Sequence, residues 1–341
     1  MIRFGIAGIP LTSKGRTFID SVEETHNLGL NALEVQLLRV NVQENSAEEY
    51  TGLRPYDVED SIIIDVLRQD ENGNYKSVGI DTEIEEDDIV QELFWNMARN
   101  YDELETGGEL AKELDVTLSM HAPYYMDLIG SPDIAEKSIN HLRWTLILGK
   151  YLGARRIVTH SGFYHGSKKD SLNKFAEVYS DILNEFSPEN GYPYIGVETS
   201  GKQEVFGTVK EVIELAKRIN IEPILNFAHV HAITGGSLVE IKDFENVINE
   251  FKKYAKYDLY TEFSGVEFTD NEERRLTAIK HGTLKFETLS EYLIDYPDDM
   301  TIISSSPLLE HDAQYMQIIY VRSYFKKMQR KKIAEKPVSG D

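Results

Sequence analysis

Short apolar runs alternate with longer amphipathic stretches along the whole chain. The runs "IRFGIAG" (2–8), "ALEVQLL" (32–38), "TLSMH" (117–121) and "RRIVTH" (155–160) are predicted strands. They continue with "YIGVETS" (194–200), "EPILNFAH" (222–229), "DLYTEFSG" (258–265) and "MTIISSS" (300–306). Helical spacing covers 14–28, 85–114, 132–152, 170–187, 207–219, 239–256, 284–294 and 309–332. Turn residues mark helix ends, as in "LGAR" (152–155), where Gly153 is expected to take the left-handed conformation after the last turn. Eight strands, each followed by a helix, predict an α/β fold of the (β/α)8 TIM barrel type, one domain spanning 1–341. An open doubly wound sheet is the competitor, but no glycine-rich phosphate fingerprint follows the first strand.

One connection departs from the rhythm. Residues 41–90 follow the second strand and are far longer than an ordinary βα loop. Within them "SIIIDVLR" and "YKSVGI" flank "QDENGN", whose Asn-Gly is a hairpin turn signal. An acidic β-hairpin insertion is expected, on the face where barrel active sites lie, with a lid as its role. Residues 333–341 are expected to form a flexible tail.

The last residues of barrel strands point into or over the mouth. Those positions hold His121, His160, Glu198, Asn226, His229, His231 and Glu262. Five successive strands thus finish on side chains able to ligate hard or borderline metals. A single strand-end histidine is more often a satisfied core residue, but convergence from five strands predicts at least one metal. In "NFAHVHA" (226–232) the two histidines are two apart, which in an extended strand puts them on one face.

Composition narrows the chemistry. The chain has 341 residues and no cysteine, which removes disulfides, thiolate metal sites and cysteine nucleophiles. Any metal is therefore held by His, Asp and Glu. No apolar run reaches the ~18 residues of a membrane span, so no membrane partner is expected, and a cytoplasmic location is the default expectation. The formal charge is −22, of which residues 44–105, with 19 acids and 4 bases, contribute −15. The total argues at first sight against a nucleic-acid partner, but its concentration in one stretch softens that, and "YFKKMQRKKIAEK" (324–336) is basic.

Taken in order, "HAPYYMDL" (121–128), "LGARRIVTHSG" (152–162), "ETSGKQEVFG" (198–207), "NFAHVHA", "FSGVEF" (263–268) and "SSPLLEHDA" (305–313) resemble the endonuclease IV family. These are apurinic/apyrimidinic endonucleases among the xylose isomerase-like barrels. The resemblance implies a metal site, usually zinc, that hydrolyses the phosphodiester 5′ to an abasic deoxyribose. His121, His160 and Glu198 match the first metal's ligands, with Glu198 bridging to a second ion. Tyr124 matches a tyrosine lining the DNA cleft. The second metal's aspartate, histidine and glutamate are replaced by Asn226, Glu262 and Ser305. Such an oxygen-rich set suits manganese or magnesium better than zinc. For the third metal, His229 matches, and the loop "DNEERRLTA" (270–278) offers Glu272 or Glu273 but no histidine.

Three functions follow as expectations. The first is a divergent, endonuclease IV-like hydrolase of phosphodiester bonds in abasic DNA, with Glu198, His121, His160 and Glu262 catalytic. Its metal ligands are those four with His229 and Asn226, and Tyr124, His231, Lys202 and Glu273 contact substrate. The second is a sugar isomerase or epimerase of the same superfamily, in which Glu198 and Glu262 supply paired carboxylates for proton transfer to a small sugar. The third is a non-catalytic metal-binding barrel.

Overall fold

The computed structural model describes residues 1–334. Eight parallel strands close into a ring: β1 (Ile2–Ala7), β2 (Ala32–Gln36), β3 (Thr117–His121), β4 (Arg156–Thr159), β5 (Tyr194–Glu198), β6 (Glu222–Asn226), β7 (Leu259–Phe263) and β8 (Met300–Ser304). Neighbours in the ring are neighbours in sequence, and β1 pairs with both β2 and β8. The helices are α1 (Phe18–Asn27), α2 (Tyr101–Glu113), α3 (Pro132–Tyr151), α4 (Lys168–Glu185) and α5 (Val209–Arg218). They continue with α6 (Phe227–Ile233), α7 (Ile241–Phe251), α8 (Phe286–Leu293) and α9 (Glu310–Ala334). The (β/α)8 barrel expected from the alternation is the fold.

Two cores form because a pleated strand sends alternate side chains to opposite faces. Outward residues such as Leu33, Val35, Ile157 and Ile195 pack under the helices. Ala7, Ala32, Val158, Ile224, Tyr260 and Ile303 form a separate cluster within the ring. On β4 the inward file climbs Arg156, Val158, His160, and on β6 Glu222, Ile224, Asn226. Closure needs a small residue in β1. A Cβ on Gly5 would lie 2.3 Å from the Ala32 carbonyl oxygen. Gly153 has φ +75°, the left-handed residue expected after α3.

The segment after β2 is larger than a hairpin. Asn41–Ser46, Ile62–Gln69, Tyr75–Ser77 and Ile89–Phe94 pair antiparallel in one sheet, in the spatial order first, fourth, second, third. Ile62–Gln69 and Tyr75–Ser77 flank the "QDENGN" turn. Ile62, Ile64, Leu93 and Trp95 belong to the same core as the outer face of the barrel. The Tyr101 hydroxyl donates to the Ile63 carbonyl at 3.0 Å, and Asp65, Ser77 and Ile80 share a cleft with Asn140, Arg143 and Trp144 of α3. The sheet is thus a flank against α2 and α3, where the sequence suggested a lid.

Other departures have local causes. The helix expected over 85–114 begins only at Tyr101, with the Asn100 side chain accepting from the Glu103 N–H at 2.9 Å. Ile89–Phe94 extends instead because strands on both sides pair with it. Strand 222–229 stops at Asn226, which caps α6. Beyond β7, Gly265–Thr269 and Glu272–Thr277 form a hairpin. Its turn residues, Asp270 and Asn271, both have positive φ, 54° and 58°. The expected tail overlaps α9, which runs to Ala334; residues 335–341 lie outside the described residues.

Candidate metal centre

His121 and Glu198 finish β3 and β5, and His160 directly follows β4. Glu198 Oε2 is 3.2 Å from Nε2 of both histidines. Tetrahedral ligands ~2.0–2.2 Å from one ion stand ~3.4 Å apart; both Glu198–histidine distances are close to that, and all three donors lie within 4.8 Å of one another. His121 Nδ1 lies 2.5 Å from the Ala122 carbonyl oxygen, which fixes the proton there and turns the Nε2 lone pair inward. His160 Nδ1 is buried without a partner.

Charge explains the electrostatics. Burial opposes ionisation of Glu198, but His160, His121 and His229 outweigh it and hold the carboxyl below the usual carboxylate range. Burial pushes the His160 imidazole down to about 4, so at neutral pH it offers a lone pair. For His121, burial is outweighed by Glu198 and Glu34, and its affinity for a proton rises. Burial, with Glu198 and Glu34 close by, pushes the Glu262 carboxyl well above its ordinary value.

Asn226 does not have the ligand role that its position suggested. Its Oδ1 accepts from the backbone N–H groups of Ala228 and His229, at 3.0 and 3.2 Å. The amide nitrogen therefore faces the carboxylates, donating to Glu198 Oε1 at 2.9 Å and to Glu262 Oε2 at 3.2 Å. An NH₂ group has no lone pair for a metal. The helix cap fixes this orientation, so Asn226 bridges two carboxylates where a cation was expected.

His229 and His231 separate because the segment is helical, and residues two apart on a helix face different ways. His229 donates from Nδ1 to the Thr199 carbonyl at 2.7 Å, leaving Nε2 facing Glu273 Oε2 at 3.3 Å. His231 is buried away from the centre, bonded to the Thr283 hydroxyl at 2.8 Å and accepting from the Leu238 N–H at 3.2 Å. It joins the packing between α6 and the following loop, and contacts no substrate space. Glu273 reaches the centre from the hairpin after β7, where its N–H donates to the Gly201 carbonyl. A Cβ on Gly201 would lie 2.5 Å from Glu273 Oε2, so only glycine leaves room for the carboxylate. Lys202 donates its ammonium to the Glu273 carbonyl at 2.6 Å and so clamps that hairpin.

These residues line a cavity of about 580 Å³ at the C-terminal end of the barrel, with Tyr124, Tyr125, Phe163, Leu276 and Pro307 around it. No residue of 41–94 lines it. Tyr124 accepts from the Gln36 amide at 2.5 Å. The sequence reading missed Glu34 on β2. Glu34 is fully buried, accepts from the Tyr260 hydroxyl at 2.7 Å, and lies with His121 and Glu262 in a second group of close ligand atoms. The available signal was a lone carboxylate within the apolar run "ALEVQ". Among the described residues no helix is long and apolar enough to cross a membrane.

Known proteins resemble this chain along most of its length. An uncharacterised protein of Methanocaldococcus jannaschii is 29% identical over 213 residues, 60% of this chain and 77% of that protein. A probable endonuclease 4 of Listeria monocytogenes is 28% identical over 222 residues, covering 61% and 73%. Two solved structures share the fold. Endonuclease IV of Thermus thermophilus has a TM-score of 0.57 at 15% identity, covering 94% of this chain and 99% of its own. An L-ribulose 3-epimerase also has 0.57, at 12% identity, covering 100% of both. The family model for xylose isomerase-like TIM barrels matches residues 85–309, and the chain belongs to that family.

Proposed function

We propose that the chain is a metal-dependent phosphodiesterase acting on damaged DNA, with abasic sites as its substrate class. The observation that carries this reading is the meeting of His121, His160 and Glu198, with Glu198 Oε2 3.2 Å from Nε2 of each histidine. The likeness to a probable endonuclease 4 over 222 residues supports it. The acidic sheet stands beside the mouth, so its charge does not line the cavity.

His121, His160 and Glu198 would hold a divalent cation, and such an ion would supply Lewis acidity and acidify bound water. Around it the chain's own groups have distinct tasks. Asn226 keeps Glu198 oriented through its amide. His229 and Glu273, 3.3 Å apart, form an acid–base pair on the hairpin side of the cavity. Tyr124, anchored by Gln36, presents an aromatic face beside the centre. A nucleotide base or sugar packs against such a face.

The test is cleavage of an oligonucleotide with one abasic site, with zinc, manganese or a chelator. Metal-dependent strand scission, lost in a His121→Ala, Glu198→Ala double variant, is the expected result. Equal rates in both proteins with every metal would end this reading for that substrate.

A second reading, epimerisation of a small ketose sugar, has one specific support. Glu198 and Glu262 share the Asn226 amide, yet one is held below and the other above the usual carboxylate range. Paired carboxyls driven apart in this way suit removal and return of a proton. Epimer formation from a ketopentose or ketohexose panel, without DNA cleavage, would favour it.

A further inference from the structure

We infer that the cleft between the inserted sheet and α3 is a second binding site, which takes a free α-amino acid with an aliphatic side chain. The cleft shares no lining residue with the cavity at the barrel mouth, so the inference stands apart from the metal reading. It encloses about 200 Å³, below the ~300–1,000 Å³ of a drug-sized pocket. That room suits a single amino acid.

Asp65 comes to the cleft from strand Ile62–Gln69 and Arg143 from α3, and no ion pair joins them among the described residues. Each keeps bonding capacity in reserve. Asp65 Oδ1 accepts from the Val66 N–H at 2.8 Å and from the Ser77 hydroxyl at 2.6 Å, which leaves Oδ2 to the cleft. Burial outweighs those bonds and the nearby Arg143 charge, and pushes the Asp65 carboxyl up. An ammonium group on Oδ2 supplies the counter-charge that the protein does not. Arg143 donates only from Nη2, to Glu185 Oε2 at 2.7 Å, and both side chains of that pair are well exposed. An exposed pair holds its partners weakly, so the guanidinium remains open to a second carboxylate.

An open carboxylate oxygen and an open guanidinium, held apart on separate elements, match the two ends of a zwitterion. The α-ammonium goes to Asp65 and the α-carboxylate to Arg143. Between them the walls are apolar: Ile64, Ile80, Ile147 and Phe186 are buried, and Trp144 lies partly open beside them. An aliphatic side chain placed there leaves water for apolar contact. Carboxylates outnumber cations around the cleft, with Asp65, Asp81 and Glu185 against Arg143. The ammonium end is therefore the better served.

The test is calorimetric titration of the full chain with L-leucine, with L-leucinamide, which lacks the carboxylate, and with 4-methylpentanoate, which lacks the ammonium. Leucine is expected to saturate one site per chain, leucinamide to bind more than ~10-fold more weakly, and 4-methylpentanoate not to bind. One charge-assisted hydrogen bond is worth at least that factor. Arg143→Met should lower leucine to the affinity of leucinamide, and Asp65→Asn should abolish binding of both. Trp144 is one of two tryptophans, and the other does not line the cleft. Leucine should thus change the fluorescence of wild type but not of Trp144→Phe, whose titration heat should persist. The His121→Ala, Glu198→Ala double variant should bind leucine as wild type does. A different order among the three compounds, or no saturation by leucine at ~10 mM, overturns the inference. So does a leucine response that survives in Trp144→Phe fluorescence or disappears with the metal-centre variant, since either puts the ligand elsewhere. Should Arg143→Met or Asp65→Asn fail to fold, the three compounds on wild type decide the matter alone.

Discussion

The two ends of this barrel handle buried charge in opposite ways. At the N-terminal end Arg156 is fully buried and donates to Glu222 and Asp258, each at 2.8 Å. Glu222 also accepts from the Lys256 N–H at 3.1 Å, and Asp258 from the Thr301 hydroxyl at 2.5 Å. At the C-terminal end Glu34, Glu198 and Glu262 converge with histidines and an amide, and two of their oxygens stay bare. The ends lie four residues apart on the same inward files, ~13 Å along a strand. Tyr260 stands between them, its ring 4.7 Å from the Arg156 guanidinium and its hydroxyl on Glu34. The lower end carries its cation covalently; the upper end presents candidate ligands for one. A set of carboxylates finished by arginine is structural, whereas one left open is chemical.

That contrast is breakable. The largest effect is expected from Arg156→Met, which strands Glu222 and Asp258 in the interior. Removing one partner of a buried ion pair costs ~3–5 kcal/mol, to be read from urea denaturation of metal-free protein. A loss below 1 kcal/mol would mean that the triad is not the structural counterweight described above.

At the upper end, stability should depend on metal instead. With Zn²⁺ at ~100 times its Kd, wild type should gain ~2.7 kcal/mol, measured as a rise in melting temperature. His160→Ala should gain far less. Equal gains in the two proteins would place the ion elsewhere.

Asn226→Asp sharpens the comparison from the other direction. It replaces a donor to two carboxylates by a further negative charge, so metal-free protein should lose ~1–3 kcal/mol. Added Mn²⁺ should restore more stability to this variant than to wild type, because a carboxylate then meets the ion. If the variant is as stable as wild type without metal, the amide bridge has no energetic role.

The smallest effect concerns His231, which belongs to neither end. Burial lowers its folded-state pKa to about 4, below the ordinary 6.5. Between those values the unfolded chain holds a proton that the folded chain lacks, so stability rises with pH across that window and is lost as pH falls. His231→Gln should flatten the slope by at most ~1.4 kcal/mol per pH unit, seen in denaturation curves at pH 4.5, 5.5 and 6.5.

Reading the chain by pattern worked where the physics is local and failed where it is shared. Gly153 and the eight apolar runs announced themselves because turn chemistry and strand alternation act within a few residues. Ile89–Phe94 did not, since an acidic flank gave it helical spacing and only its two partner strands make it extended. Glu273 was one of two candidates, and the close approach of Gly201 selects it. The role of Asn226 was misread for a related reason. The residue type offers either an oxygen or an NH₂ group to the centre, and the cap of α6 decides that the NH₂ faces it.

What the sequence by itself determined is the order of the elements and which side chains face inward, because a pleated strand alternates its faces whatever surrounds it. It therefore placed His121, His160, Glu198 and Glu262 at strand ends. Only the closed barrel decided which of those atoms meet, that Glu34 joins them, that the acidic sheet stands aside, and that Asn226 offers hydrogens rather than a lone pair. Those outcomes depend on contacts between residues dozens to hundreds apart, and such contacts exist only once the ring has closed.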